Sequence, residues 1–369
     1  DELLASLAAL VRIPSVEGEP EEGAPFGKEP ARCLHEMLAL CEKLGFPTEN
    51  MDDRVGWCEY GEGEEMVAVL GHLDVVPAGD GWTESEPFSG EIKNGRIYGR
   101  GTMDDKGPMV AAVYALAALK QSGFQPSRRI RVIFGTNEET GCGDMAWYAS
   151  HGGEMPVMGF TPDGEYPLIN GEKGILNGTY TRTLHQTGDY ILTRFEGGEA
   201  SNISPAYAVA EVKCPAEAAS KIAAEKVTVT PIDGGIRVEA EGVAVHGSTP
   251  ELGENAIGRL AMALAQLPFT GETGECLAFV SERLGMETHG ESLGLAMRDG
   301  ISGDLTMNVG VASFENEALS LTFSVRYPVT LPYDLVYPRL KRGFTLGGFT
   351  ETEMTHAAAL YIPKDSELI

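Results

Sequence analysis

Four short stretches in the first half of the chain gather acidic side chains, one of them with a histidine. They are His72 and Asp74 in GHLDVV, Asp104 and Asp105 in GRGTMDDKGP, Glu138 and Glu139 in GTNEETG, and Asp163 in GFTPDGE. Carboxylates brought together repel one another, and some must take up protons unless a cation is present. Imidazole with carboxylates is a normal zinc ligand set, and a catalytic zinc keeps one position open for water. Two zinc ions would bring more positive charge than Asp104, Glu139 and Asp163 cancel. Such a site stays net positive and favours bound hydroxide at neutral pH. Taken singly, each stretch has an ordinary structural use. A strand-end histidine belongs to a core, an aspartate pair caps a helix, a glutamate pair sits in a solvated turn, and Asp163 after Pro162 is a turn residue. Their shared placement in the chain is what sets them apart.

Each cluster lies just past an apolar strand or opens a helix. MVAVL (66–70) precedes His72, RIRVIF (129–134) precedes Glu138, and the short apolar stretch 156–160 precedes Asp163. Asp104 and Asp105 lead into an Ala- and Leu-rich segment, 107–121, whose Ser122-Gly123 end is a helix stop. Helical spacing also marks 2–11 and 31–44, the latter stopped by Gly45. This β-α-β order predicts an α/β domain with a central mixed, partly parallel sheet flanked by helices. Ligands of open α/β sheets bind beyond the carboxyl ends of the strands, so the four clusters are expected in one crevice.

The texture changes after about Asn177. YILTRFEGG, KVTVTPIDGG, IRVEAEGVAV and LSLTFSVRYPV alternate apolar and polar residues, as antiparallel strands with one buried face do. Helix-like stretches such as 254–265 interrupt them, which predicts an α+β second domain. The expected boundaries are 1–177 for the first domain and 178–355 for the second. Residues 356–369 then begin a return to the first domain, with a helix starting at Lys364.

A length of 369 residues agrees with two domains. With 43% hydrophobic and 22% charged residues, disorder along the whole chain is excluded. The net charge of −27 disfavours nucleic acid and anionic membranes. The densest basic cluster, Arg128, Arg129 and Arg131, merely flanks a strand. The longest strongly apolar run, 109–119, is far shorter than the roughly 20 residues a membrane span needs. The first residues lack the basic start and long apolar stretch of a secretory signal. Six scattered cysteines without a CxxC pair fit a reducing compartment, so a cytoplasmic protein is expected. Cys142, three residues after Glu139, is expected to pack in the core.

GHLDVVPAGDGW, GRIYGRGTMDDKGP, IFGTNEETG and FTPDGEYP, in that order, resemble the zinc aminoacylase/carboxypeptidase/dipeptidase family, and within it the bacterial dipeptidases of the PepV type. The resemblance runs from IPSVEGEP to YIPKDSELI. It implies two zinc ions (manganese or cobalt would suit the same donors), with His72 and Asp163 on the first, Asp104 bridging both and Glu139 on the second. Asp74 is implied to orient His72, and the Asp104–Asp105 peptide bond to be cis. Glu138 is implied to be the general base, deprotonating a metal-bridged water and handing the proton to the leaving amine. The second domain then resembles the family's inserted lid. Asn202 in GEASNISP and His246 in VAVHGSTP correspond to carbonyl-polarising and substrate-binding residues, and Arg326 in FSVRYPV to the partner of a substrate carboxylate. A lid as long as 178–355 is implied to serve within its own chain, so a monomer is expected.

Relatives of this type continue with a glycine-rich substrate loop and a final histidine that completes the second metal. Neither follows here, and His35, His151, His185, His289 and His356 lie in no matching motif. The first metal is therefore expected to bind better than the second. Three readings follow: a zinc-dependent dipeptidase acting on short peptides, an N-acyl amino acid deacylase of the same family, and a truncated or inactive peptide-binding homologue.

Overall fold

The computed structural model describes residues 2–369. The chain divides into two compact units, one up to Ile169 and one from Asn170 to Glu367. The first is an α/β layer, the second an α+β layer built on an antiparallel sheet.

The first unit runs α1 (Glu2–Val11), α2 (Lys28–Lys43), β1 (Thr48–Met51), β2 (Val55–Tyr60), β3 (Met66–His72), β4 (Glu91–Lys93), β5 (Arg96–Tyr98), α3 (Lys106–Gln121), β6 (Arg129–Gly135), α4 (Gly143–Ser150) and β7 (Met158–Phe160). Its five-stranded sheet has the order β1-β2-β6-β3-β7. Strands β6, β3 and β7 are parallel neighbours, and β1 and β2 join antiparallel. The sheet is therefore mixed, as the β-α-β order predicts. Leu34, Met37, Met109, Val113, Val132 and Phe134 form a core between helices and sheet. Because β3, β6 and β7 run the same way, their carboxyl ends lie on one edge, followed by 72–74, 136–139 and 161–163.

The second unit contains β8 (Gly171–Glu172), β9 (Gly174–Thr183), β10 (Ile191–Gly197), β11 (Tyr207–Lys213), β12 (Val227–Ile232), β13 (Gly235–Glu241), α5 (Ala256–Leu264), α6 (Gly271–Arg283), β14 (Arg298–Asp299), β15 (Gly303–Asp304), β16 (Thr306–Glu315), β17 (Ala318–Tyr327), α7 (Tyr333–Leu346), β18 (Thr350–Ala357) and β19 (Leu360–Tyr361). Eight strands form one antiparallel sheet, β12-β13-β11-β10-β16-β17-β9-β18. Its apolar face, with Leu319, Leu321, Phe323 and Val325 from β17, packs on α5, α6 and α7 through Leu260, Leu277 and Phe344. The opposite face is polar, with Thr179 bonded to Thr322 and Thr181 to Ser320 across β9 and β17. Residues 363–366, expected to start a helix, form a turn closed by the Ser366 amide on the Pro363 carbonyl. With Pro363 opening it, one such bond is made and no helical ladder follows.

Candidate metal centre

Strand β3 ends at His72, whose side chain is 2% exposed. Its Nε2 faces Asp104 Oδ1 at 3.1 Å and Asp163 Oδ2 at 3.5 Å, with Glu138 Oε2 at 3.9 Å. One donor atom from each of His72, Asp104 and Asp163 falls within 4.8 Å of the others. Ligands on a tetrahedral zinc at about 2.0–2.1 Å stand roughly 3.4 Å apart, so the nitrogen-to-oxygen spacings suit that ion. His72, Asp104 and Asp163 thus form a metal-binding triad. Asp104 and Asp163 are solvent-exposed, which leaves room for further ligands.

Charge favours a cation here. One imidazole faces the carboxylates of Asp74, Asp104, Glu138 and Asp163. Burial disfavours a charged His72, but its hydrogen bond and charge contact with Asp74, helped by Asp105 and Glu138, prevail and raise it to about 10. Burial, and then the neighbouring carboxylates, raise Glu138, Glu139 and Asp163 above the ordinary carboxylate range. Protons fill the deficit that a metal ion would otherwise fill.

Buried groups behind the triad hold these side chains. His72 Nδ1 lies 3.0 Å from the backbone carbonyl of Asp74 and 3.3 Å from its Oδ1. Either acceptor fixes the proton on Nδ1, so that Nε2 is the nitrogen that offers a lone pair once a metal displaces its proton. The same buried Asp74 carboxylate accepts the amides of Glu138 (3.2 Å) and Glu139 (3.1 Å). It therefore joins the β3 end to the loop after β6.

Three further groups, to which the sequence assigns no positioning role, hold the backbone around the site. Asp105 Oδ2 accepts the His72 amide at 3.2 Å, and burial raises this carboxyl to about 7. Asp144, at the start of α4, accepts the amides of Thr136 (2.6 Å) and Asn137 (3.0 Å). Lys106 is fully buried and donates to the carbonyls of Leu10 (3.1 Å) and Ile13 (2.7 Å). The signal that could have revealed the two carboxylates is a pair of glycines. A Cβ at Gly71 would lie 2.1 Å from Asp105 Oδ2, and one at Gly135 2.4 Å from Asp144 Oδ2. Each glycine lets a carboxylate reach the backbone of a strand end. The Asp104–Asp105 peptide bond is cis.

Glu139 shares the loop with Glu138, and its charge is felt together with that of Asp104. Among the described residues it joins no second group of three metal-spaced donors. His151 stacks on Trp147 with ring centroids 3.5 Å apart, at the far end of α4. Cys142 is exposed rather than in the core. It precedes α4 with a left-handed φ of 55°, and there its side chain turns to solvent.

In the second unit, Asn202 and His246 are neighbours. Ile203 and His246 form an antiparallel bridge, and the Gly247 amide donates to the Asn202 carbonyl at 2.6 Å. His246 Nδ1 lies 2.6 Å from Ser248 Oγ, leaving Nε2 free of any partner among the described residues. Arg326 sits on the polar face of β17, opposite Thr306 and Ile175. Its Nε is buried without a hydrogen-bond partner, and burial lowers its pKa.

Residues 68–326 match the family model described as peptidase family M20/M25/M40. A β-Ala-Xaa dipeptidase of Lactobacillus delbrueckii subsp. lactis is 37% identical over 341 residues, 89% of this chain and 72% of that protein. Among solved structures, an aminoacylhistidine dipeptidase from Vibrio alginolyticus is similar with a TM-score of 0.56 at 14% identity, over 99% of this chain and 81% of that one. An M20 family metallo-carboxypeptidase, Sso-CP2 from Sulfolobus solfataricus, gives 0.53 at 16% identity, over 99% and 80%. The structural likenesses speak for the fold.

Proposed function

The chain belongs to peptidase family M20/M25/M40 and is a metallopeptidase by that membership; from this premise we propose that it is a zinc-dependent dipeptidase. The observation that carries the proposal is the convergence of His72, Asp104 and Asp163, with Glu138 beside them. In this reading His72 and Asp163 would hold a first ion, Glu139 would serve a second, and Asp104 would contribute to both. When bound, the metal supplies Lewis acidity, polarising the scissile carbonyl and easing deprotonation of water.

The chain's own residues do the rest. Asp74 keeps the proton on His72 Nδ1 and, through the amides of 138 and 139, sets where the Glu138 carboxylate stands. Burial raises the proton affinity of Glu138, as suits a base that takes a proton from water and returns it to the leaving amine. Asn202 and His246 offer donors for the carbonyl oxygen as it gains charge, a contribution of roughly 3 kcal/mol for a well-placed donor. Arg326, with its unpartnered Nε, takes the terminal carboxylate of a short peptide. The large second unit supports a monomer whose His246 acts within its own chain, and the free thiols fit a cytoplasmic protein.

Arg326 would suit an N-acyl amino acid equally well, because it too carries a carboxylate. A panel of dipeptides assayed beside N-acetyl and N-succinyl amino acids separates the two. Dipeptide turnover is expected, and Glu138→Gln should lower kcat by about 10²–10⁴ while bound zinc is unchanged. Turnover of N-acyl substrates alone would overturn the dipeptidase reading. Loss of zinc from Glu138→Gln would make that residue a ligand rather than a base.

A further inference from the structure

The densest basic run in the sequence is neutralised in the fold. Arg129 and Arg131 pair with Glu59 and Glu154, and Arg128 with Glu65. A different basic cluster forms from residues far apart in sequence. A cleft of about 560 Å³ in the second unit lies between α6, α7 and the turn Glu291–Leu293. It is lined by Arg283, Arg339 and Arg342, with Phe279, Leu293 and Leu346 supplying apolar surface.

The arrangement follows from the elements. Arg283 is the last residue of α6. Arg339, Arg342 and Leu346 recur at three- and four-residue spacing on α7, so they share one face. Gly343 on that face lets α7 come close to the turn, since a Cβ there would lie 3.0 Å from Leu293 Cδ2.

None of the three guanidiniums has an ion-pair partner among the described residues. Arg283 donates to the Ser292 carbonyl (3.1 Å), Arg339 approaches Met297 Sδ (3.5 Å), and Arg342 has no hydrogen-bond partner. The nearby carboxylates are engaged elsewhere. Glu287 accepts from the Ser292 amide (2.8 Å) and hydroxyl (2.5 Å), and Glu291 from the His289 amide (3.3 Å). In a chain of net charge −27, three arginines thus gather in one cleft without a salt-bridge partner among the described residues.

Guanidinium binds phosphate and carboxylate in two-pronged fashion and is weakly hydrated, so an anion here gains more than at a lysine patch. The volume is that of a small-molecule site. Leu346, 77% exposed at the rim, and the ring of Phe279 offer contact to an apolar body. We propose that this cleft is a binding site for a small organic phosphate, its phosphoryl group on Arg283, Arg339 and Arg342 and its apolar part against Phe279 and Leu346. The proposal is independent of the peptidase reading.

The test is calorimetric titration of phenyl phosphate into the full, zinc-loaded chain at fixed ionic strength, with phthalate as the dicarboxylate comparison. Saturable binding of one phenyl phosphate per chain is expected. It should weaken by about tenfold or more in Arg339→Ala/Arg342→Ala, weaken similarly in Arg342→Glu, and persist in Arg298→Ala, which lies outside the cleft, and in His72→Ala. Arg339 and Arg342 are exposed, and unchanged melting of the variants checks that they fold. Equal affinity in the double variant, loss of binding in His72→Ala, tighter binding of phthalate, or no saturable heat up to about 10 mM would each overturn the proposal.

Discussion

Asp74 shows how much one buried side chain can organise. It is 1% exposed, faces the imidazole of His72 and receives the amides of Glu138 and Glu139. Replacing it with alanine takes the carboxylate away from the imidazole, leaving Nδ1 only the backbone carbonyl, and frees the loop. Asp74→Ala is expected to weaken zinc binding by about 10–100-fold, read by competition with a chromogenic chelator. Protons are the metal's rivals at the same centre. In the metal-free chain His72 is raised to about 10 and Asp105 to about 7, so both hold protons near neutral pH. A group with a raised pKa gives up its proton only as pH climbs, so zinc affinity should rise with pH between 6 and 8. The expected slope is about tenfold per pH unit for each proton displaced. Proton release on binding, measured by titration in buffers of different ionisation enthalpy, checks the count; affinity that falls with pH would contradict it.

At the scale of elements, the site depends on how α1 and α3 meet. Helix α3 begins at Lys106, directly after the aspartate pair, and the buried ammonium caps carbonyls at the end of α1. Beside it, Ser15 Oγ donates to the Leu73 carbonyl (2.6 Å), and the Val75 amide donates to Ser15 (3.0 Å). The segment after α1 therefore grips both the β3 end and the α3 start, which bear His72 and Asp104. Burial lowers the pKa of Lys106, so its charge is held at a cost that these carbonyls offset. Lys106→Met keeps the bulk but leaves Leu10 O and Ile13 O without their donor. It should cost about 1–3 kcal/mol of stability per carbonyl left unsatisfied. It should also loosen zinc, seen as a raised dissociation constant in folded protein well below its melting temperature. Unchanged metal affinity in that variant would confine Lys106 to stability alone.

For the molecule as a whole, the candidate site residues are split between the two units. Every member of the triad and its supporting shell lies before Ile169, whereas Asn202, His246 and Arg326 belong to the second unit. An ion that binds only the native first unit stabilises it by mass action. Chelator treatment should therefore speed backbone hydrogen exchange around 72–75, 104–107 and 136–144. The β9–β17 core of the second unit, where Leu321 and Phe323 are fully buried, should keep its protection. Uniform loss of protection across both units would show that the metal holds the entire chain together.

The sequence by itself determined the element types and pointed to the acidic and histidine residues that the fold brings together. Apolar periodicity marks β3, β6, α3 and the alternating strands of the second unit, because burial on one or both faces leaves a direct trace in residue order. His72, Asp104 and Asp163 were legible because each stands at the end or start of such an element. Only the tertiary structure decided which groups lie behind them. Asp105, Lys106 and Asp144 act through backbone amides and carbonyls, which carry no sequence signature beyond Gly71 and Gly135. The same holds for charge. Arg128, Arg129 and Arg131 stand together in sequence yet are neutralised by carboxylates from elsewhere in the chain. Arg283, Arg339 and Arg342 are scattered, yet share one cleft. Electrostatic partnership depends on distance through space, and only the packing of α6 against α7 sets that distance.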